Sequence, residues 1–247
     1  MRVTVPTAHL VSVVVPLWNS ERYLAETIAS IAAQRIEGMQ VVFVDDGSTD
    51  RSAFLARSLA PDALHCGQAH QGISAALNRG LSLASGRYVT FLDADDLWPA
   101  QSLALRLAAC LARPSLDLVA GHVRPFASPD LDEDFRRSLA FPEQPLPGYL
   151  LGAMLIRRGV YDRVGGFDAG VSSAQSVDWV VRALDAGVPM GMIPDVVLLR
   201  RLHRGNHSHE RLQLGVYPRI LKASLDRRRA ANQGVALPLP GPADAGG

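Results

Sequence analysis

The sequence predicts an α/β fold of one domain, doubly wound around a mainly parallel sheet flanked by helices, and three observations carry that expectation. Apolar runs rich in β-branched residues alternate with stretches of helical periodicity through the first 112 residues. A chain of 247 residues is long enough for one sizeable α/β domain and short for two domains with a linker. Acidic clusters fall where the apolar runs end, and doubly wound sheets gather ligands beyond the carboxyl ends of their strands.

The elements follow in order. VSVVV at 11–15 reads as a strand covered on both faces, ended by Pro16. Asn19 or Ser20 then caps a helix whose Leu24, Ile28 and Ile31 recur at helical spacing, with Glu21 in its first turn. A strand at 41–44, a polar turn from Asp45 to Asp50 and a helix with Phe54, Leu55 and Leu59 repeat the pattern. A weak strand near 63–66, a helix facing inward with Ile73, Leu77 and Leu81, and a strong strand at 88–92 come next. After Pro99 a helix presents Leu103, Leu107 and Leu111, and a strand is expected near 117–120. The Pro-rich, acidic stretch 125–148 reads as an irregular, mobile surface segment. A strand at 149–156, a helix at 177–184 with Val177, Val180, Val181 and Leu184 inward, and a basic loop from Arg200 to Arg211 follow. The tail 233–247 has the Pro/Gly/Ala composition of a disordered end.

Composition excludes several classes. With 48% apolar and 20% charged residues the chain packs a core. A net charge of +1 provides no global field toward nucleic acid or anionic lipid, so anionic ligands must be met locally. Cys66 and Cys110 fit no metal-ligand spacing and read as two buried thiols. There is no apolar leader before residue 11 and no apolar run of about 18 residues, so the expectation is a soluble, cytoplasmic protein or one peripheral at the inner membrane face.

The segment GRYVTFLDADD (86–96) carries the sharpest chemistry. Carboxylates two apart at the mouth of a strand can converge on a hard cation that keeps positions open for phosphate oxygens. The bland alternative is an acidic turn that caps the next helix.

That motif stands in a wider pattern. VSVVVPLWNSERYLAETIASIAAQ, VVFVDDGSTD, QGISAALNRGL, GRYVTFLDADDLW and YLLGAMLIRRGVYDRVGGFD occur in an order and spacing that resemble family 2 glycosyltransferases of the GT-A, Rossmann-like fold, over about residues 10–208. The resemblance implies a nucleotide-sugar half at 10–112 and an acceptor half at 113–208, followed by a helical extension at 209–232. It implies a turn of Pro16, Trp18 and Asn19 beside the nucleotide base, with Trp18 as the stacking face or a core indole. Asp46, with Asp45 beside it, would meet base or ribose, or serve a plain turn with Ser48 or Asp50 as helix cap. Asp93 would face the ribose across Ala94, and Asp95 would ligate Mn²⁺ or Mg²⁺ against the diphosphate, with Asp96 secondary. His203 in RRLHRGNHS (200–208) would contact that metal or the diphosphate, with Arg200 and Arg201 as auxiliary cations and His207 and His209 nearby.

Two departures stand out. Gln175 and Ser176 occupy the place of the family's Glu-Asp pair, whose Asp deprotonates the acceptor, and neither can act as a base near neutral pH. Asp178 is the substitute candidate; its structural alternative is helix N-terminal complementarity with an i, i+4 pair to Arg182, which leaves Ser176 as a helix cap. Leu77 stands where the family often has an Arg on the diphosphate, and Arg79 is the nearest replacement. Gly152, Ala153 and Met154 would border the acceptor pocket, and Gly165 and Gly166 form a tight turn.

The implied activity is metal-dependent, inverting transfer from a nucleotide-diphosphate sugar, UDP-sugar favoured, to an acceptor hydroxyl that the sequence leaves unspecified. Nucleic acid is not among the expected partners. The alternative is a catalytically impaired GT-A protein that binds nucleotide sugar or a partner without turnover. A nucleotidyltransferase ranks last, because PLWNSER offers no glycine-rich phosphate loop.

Overall fold

A computed structural model describes residues 9–139, 144–171, 174–205 and 216–233, with side chains through residue 230. The first half alternates β1 (Val11–Leu17), α1 (Glu21–Ala32), β2 (Met39–Asp45), α2 (Ser52–Leu59), β3 (Leu64–Gly67), α3 (Ile73–Leu83), β4 (Tyr88–Phe91) and α4 (Ser102–Ala112). The second half runs β5 (Leu118–Ala127), α5 (Glu133–Ser138), β6 (Leu146–Gly148), a 3-10 turn (Leu151–Ala153), β7 (Met154–Arg157), α6 (Val160–Val164), α7 (Gln175–Asp185), β8 (Met190–Leu202) and α8 (Val216–Gln233).

One eight-stranded sheet has the order β3-β2-β1-β4-β7-β5-β6, with β8 pairing β5. The block β3-β2-β1-β4 is parallel throughout and so is β5 with β8, while β7 joins β4 and β5 antiparallel. The sheet is thus mainly parallel and flanked by helices, as the sequence predicts. Every residue of β1 is buried because both faces are covered. Val13 and Val15 pack with Leu24, Ile28 and Leu103 on one face, and Val14 packs with Leu77, Phe91 and Trp179 on the other.

Several local expectations are corrected. Pro16 does not end β1, which continues to Leu17. The Val14 carbonyl accepts from Leu92 on the β4 side, and β4 pairs no further than Val14, so the N–H that Pro16 lacks would have pointed past the end of that ladder. Ser20 holds the N-cap place of α1, yet its Oγ donates to the Trp18 carbonyl; Glu21 N is met instead by Asp50 Oδ2 at 3.0 Å from the neighbouring turn. In α4 Leu111 is exposed and the inward face is Leu103, Arg106, Leu107 and Cys110. Cys66 is only partly buried, on the edge strand β3, whereas Cys110 is buried and its thiol is pushed up to about 11 by that burial.

The stretch 125–148 is more regular than its composition suggests. β5 extends through Ala127, Asp132 caps α5 by accepting from Phe135 N at 2.8 Å, and β6 adds an edge strand. Residues 149–156 divide into the 3-10 turn and β7 rather than forming one strand. In α7 the buried residues are Asp178, Trp179, Val180 and Ala183, while Leu184 faces solvent. The indole of Trp179 joins Tyr161 and Phe167 in an aromatic cluster, and filling it sets the face of the helix. Arg200 and Arg201 belong to β8 and not to a loop. The expectations for His207, His209 and the tail past Gln233 lie outside the described residues, as does the start of the 209–232 extension; α8 supplies the rest of it.

Candidate functional site

The acidic turn after β4 brings carboxylate oxygens of Asp93, Asp95 and Asp96 within 4.8 Å of one another. α1 holds this turn from below. Thr27, fully buried on the apolar face of that helix, donates from Oγ1 toward the carbonyls of Ala94 and Asp96, both at 2.9 Å. Asp96 N bonds the Asp93 carbonyl at 3.1 Å, and Leu97 exchanges two backbone bonds with Leu199 of β8, at 3.0 and 2.9 Å. That bridge carries the end of β8 onto the acidic turn.

What β8 delivers there is basic. Arg201 is buried; its N–H donates to Asp96 Oδ1 and its Nε to the Asp95 carbonyl, both at 2.8 Å, while Nη2 pairs Glu26 of α1 at 2.8 Å. Its guanidinium lies over the rings of Tyr23 and Phe126 at 4.8 and 4.9 Å. His203 Nε2 sits 2.9 Å from Asp95 Oδ2, and its ring leans on Tyr23 at 4.6 Å. Arg201 therefore clamps the acidic turn from within β8, and His203 reaches the predicted metal ligand.

Charge in the cluster is crowded. Asp96, buried, has its carboxyl pushed well above the usual range by desolvation and then by Asp95 and Asp93, with the Arg201 N–H opposing. Asp93 is pushed up to about 6, by desolvation first and the Asp95 charge second, with Arg200 opposing. Its side chain reaches solvent, so that desolvation is partial and the crowding of like charge is the cause that a bound cation would relieve. A donor set of hard carboxylate oxygens with one imidazole nitrogen fits a divalent ion such as Mn²⁺ or Mg²⁺. Asp93, Asp95 and His203 are the residues that would hold it.

The turns after β1 and β2 are stapled together. Asn19, at φ 48°, accepts from Thr49 N at 2.8 Å through Oδ1, and its own N–H donates to Ser48 Oγ at 3.0 Å. Asp45 Oδ1 accepts from the N–H of Ser48, three residues on, at 3.2 Å. Asp46 is buried and anchors the loop 68–72: Oδ1 accepts from Gln68 Nε2 at 2.7 Å and Gln71 N at 2.9 Å, and Oδ2 from Gly72 N at 2.8 Å with His70 Nδ1 at 2.9 Å. Gly47 makes the approach possible, since at φ 74° a Cβ would lie 2.9 Å from His70 N. Trp18 is 44% exposed and stacks on His70 with centroids 4.7 Å apart. Its indole is thus a surface platform and not a core residue.

Gly152, Ala153 and Met154 are buried, and the carbonyls of Gly152 and Met154 face inward: Gly152 O accepts from Trp98 Nε1 at 2.8 Å and Arg106 Nη1 at 3.1 Å, and Met154 O from Arg106 Nη1 at 3.0 Å. Arg106, wholly buried, also meets Thr90 Oγ1 and both oxygens of Ser102, and burial pulls its pKa down to about 9. Ser176 lies inside α7, whose N-cap is Ala174, and its Oγ accepts from Leu151 N at 3.3 Å; Gln175 Nε2 donates to the Val171 carbonyl. Asp178 Oδ2 accepts from Arg182 Nε at 2.9 Å, and Arg182 is itself fixed on the carbonyls of Val164 and Gly166. Gly165, at φ 81°, makes the expected turn and offers its carbonyl to Trp179 Nε1. Leu77 is buried in the core, and Arg79 donates to Cys66 Sγ on β3, three strand positions, or roughly 14 Å, from β4.

Sequence reading missed Tyr23, Thr27 and Arg106. Thr27 and Arg106 had a signal, being polar residues on the apolar faces of α1 and α4. Tyr23 had none, because its role arises only where β8 arrives.

The sequence model of Glycosyl transferase family 2 matches residues 12–174. Among curated relatives, Glycosyltransferase GlyA of Streptococcus pneumoniae is 35% identical over 119 residues, 47% of this chain and 17% of that protein. UDP-Glc:alpha-D-GlcNAc-diphosphoundecaprenol beta-1,3-glucosyltransferase WfgD of Escherichia coli is 30% identical over 105 residues, 42% of each chain. The matched stretch thus spans less than half the length of these relatives. Among solved structures, Staphylococcus aureus TarS 1-349 in complex with UDP-GlcNAc superposes with a TM-score of 0.69 at 19% identity, over 88% of this chain and 66% of that one. The mannosyltransferase PcManGT of Pyrobaculum calidifontis, in complex with GDP-Man and Mn2+, gives 0.58 at 24% identity, over 94% and 66%.

Proposed function

Since the chain belongs to glycosyl transferase family 2, we propose that it transfers a sugar, with inversion, from a nucleotide-diphosphate donor held with Mn²⁺ or Mg²⁺ to an acceptor hydroxyl. The observation that carries this reading is the cluster of Asp93, Asp95 and Asp96 at the mouth of β4 with His203 at 2.9 Å from Asp95. A divalent ion held there would neutralise the charge that grows on the departing nucleotide diphosphate, which favours the transition state over the bound donor. The exposed indole of Trp18 offers the base a stacking face, with Pro16 and Asn19 setting its turn. Asp45, whose carboxylate has one described contact, is better disposed than the saturated Asp46 to meet the nucleoside. UDP-sugar is the favoured donor, in line with the names of WfgD and the TarS complex. Arg79 joins the diphosphate in this reading only by leaving Cys66.

Titration calorimetry with a UDP-sugar and Mn²⁺ tests donor binding. Asp95→Asn is expected to weaken it at least about tenfold, and unchanged affinity would defeat the metal assignment.

A second reading, donor binding without effective turnover, is favoured by the start of α7. Asp178 is the carboxylate there, and accepting a proton would cost it the pair with Arg182. Release of nucleotide diphosphate across donor and acceptor panels separates the two readings. In the transfer reading Asp178 or solvent takes the proton; in the second no panel member gives release above background.

A further inference from the structure

α8 touches the rest of the protein along a narrow line. Ile220 and Ser224 are buried, Ser224 Oγ donates to Asp185 Oδ1 at 2.9 Å, and Arg227 and Arg228 pair the same carboxylate at 2.8 and 2.7 Å. Next to that line, Tyr217, Leu221 and Leu225 recur at i, i+4 and i+8 and are 39%, 60% and 54% exposed. This spacing puts them on one face, in a stripe about 12 Å long. At 100° per residue Lys222 and Arg229 lie along one edge of the stripe, while Arg219 sits on the far side of the helix, all three exposed. Over Val216–Gln233 the charges are Arg219, Lys222, Arg227, Arg228 and Arg229 against Asp226, a net +4, while the whole chain carries +1. Positive charge is therefore concentrated on the helix that shows an apolar stripe.

We propose that α8 is an interfacial helix that seats the protein on an anionic lipid bilayer, with Tyr217, Leu221 and Leu225 at the acyl boundary and Lys222 and Arg229 on lipid phosphates. A cationic helix with a narrow apolar face suits a surface that takes up a few side chains without a matching contour. A second copy fits less well, because pairing two such helices opposes like charges. Three side chains also fall short of the roughly 800 Å² per partner of a stable protein interface. No helix among the described residues is long and apolar enough to cross a membrane, so α8 would lie on the surface. This inference does not depend on sugar transfer.

The test is co-sedimentation of the full chain with vesicles of phosphatidylcholine alone or with phosphatidylglycerol added. We expect binding to the anionic vesicles, weakening as salt rises, and little to the neutral ones. Leu221→Glu with Leu225→Glu should lower the partition coefficient about tenfold or more. Lys222→Glu with Arg229→Glu, which leaves the Asp185 contacts in place, should lower it and flatten its salt dependence. Circular dichroism melts of both variants confirm folding. Failure of the parent chain to sediment, equal binding by the variants, or a concentration-dependent dimer abolished by the leucine changes would overturn the proposal.

Discussion

Two acidic turns leave the parallel block at its carboxyl edge, one after β2 and one after β4, and they behave in opposite ways. Asp46 is buried with both oxygens accepting from the loop 68–72, so its charge is met by amides and His70. Asp93, Asp95 and Asp96 crowd one another instead, and desolvation and mutual repulsion raise Asp93 and Asp96. Similar strings of residues, DDGSTD and DADD, thus make a structural anchor in one place and a cluster of mutually repelling carboxylates in the other. A carboxylate cluster points to a ligand when its neighbours make ionisation costly, not merely when it ends a strand.

That contrast can be broken most directly at Asp95. Asp95→Asn should lower nucleotide diphosphate release by about 10²–10³-fold in a coupled assay, while the melting temperature without metal holds or rises because a like charge has gone. A clear fall in that melting temperature would make Asp95 an anchor of the Asp46 kind. Asp46→Ala is the converse experiment. It strips Gln68, Gln71 and Gly72 of their acceptor and should cost about 2–3 kcal/mol in urea unfolding, and a neutral result would dissolve the distinction.

Acidity sharpens it further. Asp93 is raised in the folded protein, so its proton is held more tightly there than in the unfolded chain. The stability this gives the metal-free protein is complete below the unfolded carboxylate range and is lost as pH rises through about 6. Mn²⁺ competes with that proton, so the thermal shift it produces should grow as pH is raised through about 6. A shift flat in pH would remove Asp93 from the ion's surroundings. The smallest effect is expected at Asp178→Asn. The amide still accepts from Arg182 but the charge of a largely buried pair is lost, which should cost about 1–2 kcal/mol and change turnover only a few-fold. A fall in release of about 10² or more would instead identify Asp178 as the base.

Much of the first half was legible in the chain, because its signals are local. Strands β1 and β4 and the buried stretch 42–44 of β2 read as nearly continuous apolar runs, and α1 shows its inward face in Leu24, Ile28 and Ile31. The second half was harder to read. Trp179, one indole in an aromatic cluster, turns α7 so that Asp178 faces inward and Leu184 outward, against the simple apolar periodicity. Arg106 is a charge in a core position, stabilised by carbonyls from elements that the sequence does not mark as its neighbours.

By itself the sequence determined the alternation that builds a parallel sheet and the placing of carboxylates at strand ends, since both follow from side-chain spacing along one backbone. Only the tertiary structure decided which carboxylates are satisfied and which are crowded. His203 meets Asp95 across 108 residues because β8 pairs with β5 and bridges to Leu97, and Thr27 reaches the same turn from α1. Hydrogen bonding and like-charge repulsion act through space over a few ångströms, and that distance is set by how elements pack rather than by their order in the chain.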